Sequence, residues 1–309
     1  DSKTPRTRTP LGAPETAELL QRLLERIRGI ERGIAIFDLD STLLYNAPRQ
    51  AAILREYGEE KGLAPLAASK SEHWTSWEVA DAMHASGLAS ELVAEHRDPF
   101  KAYWRERFFT SEYCVLDEEI AGAIDFVQDV RKVGGCVFYV TGRHEAMRRG
   151  TVECFERLGF PVPDDNEVRL IMKPTLDEED DDYKDRTYAT LNEFGTVVGA
   201  FDNEPTHING YYTNFPDAMS IHLATDDSGR GIDREESKFG RSAVKNAVDH
   251  ERIALDLRAR VLGWFAGVIR PGDLKPADIA GIQLRQRREL AAQIIAKVGG
   301  PILVRSRRQ

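Results

Sequence analysis

Two carboxylates one residue apart, in Phe37-Asp38-Leu39-Asp40-Ser41-Thr42, follow directly on the uncharged run Gly33-Ile34-Ala35-Ile36-Phe37. A short apolar run of this kind reads as a buried strand. Acids delivered where such a strand ends can hold a metal ion or do acid/base work. The plainer alternative is that Asp38 and Asp40 cap a helix or shape a turn. In extended chain, residues i and i+2 point the same way, so Asp38 and Asp40 can address one substrate. Two more polar groups stand in equivalent places. Thr141-Gly142-Arg143-His144 follows an apolar run at 136–140, and Asp202-Asn203-Glu204 follows another at 197–201.

The elements that must position these residues are legible as periodicity. Strand-length apolar runs at 33–37, 136–140, 168–172, 197–201 and 219–223 alternate with amphipathic patterns at about 117–133, 144–158 and 183–194. Gly134-Gly135, Gly159 and Gly195 stop those helices. Alternation of this kind predicts an α/β fold, a Rossmann-like parallel sheet with helices on both faces and right-handed crossovers. Asp38, Thr141 and Asp202 each follow the last apolar residue of a different strand, so a parallel sheet carries all three to one edge. Leucines and Ile27 at helical spacing predict a further helix over about 15–28. Residues 1–14, with three prolines, read as a flexible arm. The core domain is expected at 15–45 and 115–235. Between its two parts, 46–114 is helix-forming and aromatic (Trp74, Trp77, Trp104, Phe108, Phe109) and too long for a loop. Residues 236–309 carry two more helical patterns, a C-terminal extension whose apolar surface could serve a homodimer.

The totals bound the class. A chain of 309 residues with 41% hydrophobic content can bury one large core and an insertion. A formal net charge of −9 argues against a nucleic-acid surface as the main function. No apolar stretch approaches the roughly 20 residues of a membrane helix. Cys114, Cys136 and Cys154 are odd in number and lack metal-ligand spacing, which argues against a disulfide framework or a zinc site and points to a reduced, cytoplasmic setting.

Over roughly residues 33–225 the chain resembles the haloacid dehalogenase (HAD) superfamily of phosphohydrolases. Asp38-Leu39-Asp40-Ser41-Thr42 stands at motif I, Thr141 at motif II, a lysine at motif III and Asp202-Asn203-Glu204 at motif IV. Any one of these arises by chance; four in order at strand ends or helix starts are far rarer. The resemblance implies a phosphatase acting on a small phosphorylated molecule, with Asp38 as nucleophile and Asp40 as general acid/base. It also implies Mg²⁺ held by Asp38, the Asp40 backbone carbonyl and Asp202, with Thr141 and the Gly142 N–H on the phosphate. For motif III, Lys184 is preferred because it opens a helix and projects inward; Lys173 is the rival. Either could instead be a surface lysine paired with the acidic run at 177–182, itself read as a solvated loop. Arg143 and His144 either touch substrate or begin a solvated helix. Asn203 and Thr206 stand where the family often has a second carboxylate, and Glu204 either compensates or caps the next helix. An acid at position 40 favours phosphoryl chemistry over dehalogenation. The insertion at 46–114 has the position of a helical cap, which would exclude water and set specificity. Neither nucleic acid nor membrane is expected as a partner. The alternatives are a phosphomutase or phosphotransferase, or a non-catalytic partner-binding protein retaining the fold.

Overall fold

The computed structural model describes residues 13–223, Thr225 and the pair Ala243–Val244. The elements run α1 (Ala13–Arg28), β1 (Gly33–Phe37), β2 (Leu44–Tyr45), α2 (Ala47–Lys61), α3 (Ala64–Ala67), α4 (Val79–Ala85), α5 (Ser90–Phe108), α6 (Ser111–Cys114) and β3 (Glu118–Glu119). They continue with α7 (Ala123–Lys132), β4 (Cys136–His144), α8 (Arg148–Leu158), β5 (Val168–Lys173), α9 (Asp180–Leu191), β6 (Thr196–Asp202), α10 (Pro205–Asn214), β7 (Met219–Leu223) and β8 (Ala243–Val244).

The main sheet has the order β5-β4-β1-β6-β7-β8, and every pairing in it is parallel. Alternation along β1 explains the layers. Ala35 and Phe37 join a core built with α1, α7 and α8, whereas Ile34 and Ile36 join the opposite core, built with α9 and α10. Every residue of β1 is buried as a result. The register is what matters for the site: Phe37 pairs with Tyr139 of β4 and with Phe201 of β6, so the next residues, Asp38 and Asp202, leave the sheet side by side.

Residues 46–114 form α2 to α6 around a separate cluster that includes Leu54, Tyr57, Trp74, Met83, Phe100 and Phe108. The chain enters this unit beside β2 and leaves it beside β3, and these two strands pair antiparallel, Leu44 with Glu119 and Tyr45 with Glu118.

Several boundaries differ from expectation. The helix expected from 117 begins only at Ala123, because Glu118–Glu119 is drawn into the ladder with β2. The acidic run at 177–182 is not all loop: Asp180, Asp181 and Asp182 form the first turn of α9, where the helix dipole favours negative charge. Lys184 therefore sits inside α9, not at its start. Of the arm expected at 1–14, residues 13 and 14 instead open α1, and residues 1–12, like the helical patterns expected beyond 244, lie outside the described residues. Within 236–309 the described pair, Ala243–Val244, is a strand on β7. Among the described residues no helix is long and apolar enough to cross a membrane.

Candidate active site at the sheet edge

Asp38 is still within the ladder through its N–H, which donates to the Phe201 carbonyl at 2.9 Å. Its carboxylate emerges at the edge and meets Lys184, whose Nζ donates to Asp38 Oδ1 at 2.8 Å and to Asp202 Oδ2 at 2.7 Å. One buried ammonium thus joins the ends of β1 and β6. Lys173, at the end of β5, is elsewhere: its Nζ donates to the carbonyls of Leu176 and Glu178 and to Asp180 Oδ1, tying down the loop that leads into α9.

Asp202 accepts four bonds, from Lys184, the Glu204 N–H, His207 Nδ1 and the Tyr211 hydroxyl. Burial alone would raise its pKa, but the Lys184 and His207 charges outweigh this and hold it well below the usual carboxylate range. Asp38 is less compensated. Burial pushes its pKa up to about 7, with Lys184 pulling down and the nearby charges of Asp202 and Asp40 pushing up. His207 lies 3.0 Å from Asp181 through Nε2 and 3.1 Å from Asp202 through Nδ1. Burial and the Lys184 charge act to lower its pKa, but those two acids win and carry it up to about 9.

Asp40 faces a different set of partners. Arg143 Nε donates to its Oδ2 at 3.0 Å and Nη2 to its Oδ1 at 2.6 Å; Arg49 Nη2 and Asn46 Nδ2 add bonds to Oδ1 at 3.1 and 2.8 Å. Burial works against ionisation here, yet Arg143, then Arg49 and Asn46, hold the carboxyl well below its ordinary range. Asp40 is thus a fixed carboxylate.

Thr141 is fully buried, and its hydroxyl accepts the Arg143 N–H at 3.2 Å. It lies within β4, opposite Met172, just before the register breaks. Gly142 follows, and a Cβ there would come within 2.7 Å of Oδ2 at the end of the half-exposed Asp180 side chain. Asn203 accepts a bond from the Thr42 hydroxyl at 3.2 Å. Glu204 precedes α10 as its N-cap residue, though its side chain makes no capping bond.

The edge therefore brings Asp38, Lys184 and Asp202 together, with Thr141 and Gly142 on the neighbouring strand. Arg143 is neither exposed nor at a helix start: it is buried against Asp40 and Asp117. Sequence reasoning gave no place to Arg49, Asp117 or His207. Spacing offered one usable signal, His207 in the first turn of the helix after Asp202; Arg49 and Asp117 stand 68 positions apart with no motif between them.

The carboxylates of Asp38, Asp40 and Asp202 do not form one cluster, and among the described residues no group of three or more His, Cys, Asp or Glu is arranged to hold a metal. The donor chemistry still fits a hard cation. Asp38 is a buried carboxylate, and hard oxygen donors of this kind are what Mg²⁺ or Ca²⁺ takes. Asp202 would have to exchange one of its four donors.

The family model described as HAD superfamily, subfamily IIIB (acid phosphatase) matches residues 95–210, a span containing Thr141, Lys184 and Asp202 but not Asp38. Among solved structures, protein tyrosine kinase A of Mycobacterium tuberculosis is 16% identical, with 72% of this chain and 98% of that one covered at a TM-score of 0.44. A class C acid phosphatase from Bacillus anthracis with tungstate bound is 16% identical, covering 63% and 66% at a TM-score of 0.36. A putative phosphatase from Clostridium difficile is 12% identical, covering 70% and 94% at a TM-score of 0.40. No curated protein sequence matches the chain.

Proposed function

We propose that this chain, whose residues 95–210 match the model of a haloacid dehalogenase superfamily subfamily, is a Mg²⁺-dependent phosphatase of that superfamily that hydrolyses small phosphate monoesters through an aspartyl-phosphate. The observation that carries the reading is the Lys184 ammonium shared by Asp38 and Asp202, with a second, separately fixed carboxylate at Asp40. Packing requires neither acid, and two buried carboxylates facing each other cost stability unless a cation joins them.

In this reading an Asp38 oxygen attacks phosphorus, the P–O bond to the leaving group breaks, and Asp38 carries the phosphoryl group. Lys184 offsets the charge gathered at Asp38, while Thr141 and the Gly142 N–H orient phosphoryl oxygens. Asp40, held ionised by Arg143, then takes a proton from water. The resulting hydroxide attacks phosphorus and frees Asp38 with inorganic phosphate. The same arginines disfavour a proton on Asp40 beforehand, so esters whose leaving group departs as a stable anion, such as aryl phosphates, suit the site best. Mg²⁺ held by Asp38, the Asp40 backbone carbonyl and Asp202 would neutralise charge between carboxylate and phosphate. The unit at 46–114 is the candidate cap over this edge.

The test is release of 4-nitrophenolate and phosphate from 4-nitrophenyl phosphate. Turnover is expected with Mg²⁺, to vanish with EDTA, and to drop at least about a hundredfold in Asp38→Ala, the loss typical when a covalent nucleophile is removed. An Asp38→Ala protein as fast as the unmodified one ends the reading.

A further inference from the structure

Three charged side chains behind Asp40 are more elaborate than a single ion pair requires. Asp117, fully buried, accepts Arg49 Nε on Oδ1 at 2.9 Å and Arg143 Nη2 on Oδ2 at 2.6 Å. It thereby orients two guanidinium groups, both of which donate to Asp40. Arg49 is also held by the Phe108 carbonyl at 2.9 Å, and its guanidinium carbon lies 3.9 Å from the centre of the Phe108 ring. Arg143 is fixed at its other end by Thr151 Oγ1 at 3.1 Å. Both arginine side chains are essentially without solvent exposure, so each planar fork is locked before it meets Asp40. Arg49 and Phe108 belong to α2 and α5 of the inserted unit, whereas Arg143 belongs to β4 of the core.

We infer that Arg49 is a positioning residue: reaching out of the inserted unit, and oriented by Asp117, it fixes the Asp40 carboxylate for the water-activating half of the reaction. The inference rests on the phosphatase reading above. It adds that seating of the 46–114 unit on the core governs the second chemical step, not the first. An acid fixed from three sides by Arg143, Arg49 and Asn46 loses little entropy on reaching its water, and small misplacements of such groups cost rate steeply.

Arg49→Lys keeps a charge and an aliphatic stem but loses the fork, so it cannot serve Asp117, Phe108 and Asp40 together. With Mg²⁺ and 4-nitrophenyl phosphate, the first step needs no proton from Asp40. The expected result is a kcat lower by about tenfold or more with kcat/KM held within about threefold. Stopped flow should then show a burst near one nitrophenolate per site. Asn46→Ala, which removes the third donor and leaves the arginines in place, should give the same pattern with a smaller drop, and decides the matter if Arg49→Lys does not fold. An unchanged kcat, or a kcat/KM that falls in step with kcat, overturns the inference while leaving the phosphatase reading standing. Unmodified protein without turnover, or Asp38→Ala with full turnover, overturns that reading and this inference with it.

Discussion

Lys184 and Lys173 are both buried lysines, yet their neighbours give them different weight. Lys184 separates two buried carboxylates, and removing it leaves their charges uncompensated. Lys173 pairs with Asp180, a half-exposed acid, and otherwise touches loop carbonyls. Lys184→Met is therefore expected to cost about 3–5 kcal/mol, the loss typical of breaking a buried pair. Lys173→Ala should cost about 1 kcal/mol, since a solvent-screened pair contributes little. Urea unfolding midpoints with a common slope measure both, and equal losses at the two positions contradict the assignment. A cycle with Asp202→Asn sharpens the point. Neutralising one acid should restore part of what Lys184→Met loses, a coupling of about 0.5–3 kcal/mol that independent sites do not show.

At the scale of elements, the inserted unit meets the core where α8 passes α6. The Gly150 N–H donates to Ser111 Oγ at 3.1 Å, and a Cβ on Gly150 would lie 1.8 Å from the Ser111 carbonyl oxygen. That neighbour is backbone, so a methyl group there has to push the helices apart. Gly150→Ala is expected to destabilise by about 1–3 kcal/mol. Because Thr151, next along α8, holds Arg143, activity should fall with it. Thermal melting and 4-nitrophenyl phosphate turnover check the two halves, and a Gly150→Ala protein as stable as its parent means the helices are not in that contact. How far the sequence foretold these elements follows from what each depends on. The ends of β1 and β6 were legible because an uncharged run stops at an acid, and the parallel register does the rest. The start of α7 was not, since it depends on Glu118–Glu119 pairing with residues more than 70 positions earlier, and local periodicity is blind to that. The start of α9 was missed for a different reason: three aspartates read as solvent-facing loop when composition alone is weighed, although a helix N-terminus favours them. The Arg49–Asp117–Arg143 set left no periodic trace, because its members come from a helix, a loop and a strand, and a polar residue turned inward looks the same in sequence as one turned outward.

For the molecule as a whole, the charges at the sheet edge set how stability depends on pH. Asp40 and Asp202 are held well below their ordinary value of 3.8, so the stability they contribute is present above that value and lost as pH falls through their folded values. Asp38, pushed up to about 7, acts oppositely: the folded protein keeps a proton that the unfolded chain has already released, and stability is lost as pH rises from about 4 to about 7. His207, raised from 6.5 to about 9, contributes ion pairs that are complete below 6.5 and lost as pH rises through about 9. Without added cation, the urea midpoint should therefore peak near about pH 4 and decline steadily to about pH 9. His207→Gln should flatten only the upper part of that decline, and a fall above pH 6.5 that survives the substitution assigns it to another group. Excess Mg²⁺ should flatten the lower part, because a cation that binds ionised Asp38 reverses the cost of ionising it. A decline below pH 7 that is the same with and without Mg²⁺ places the cation away from Asp38.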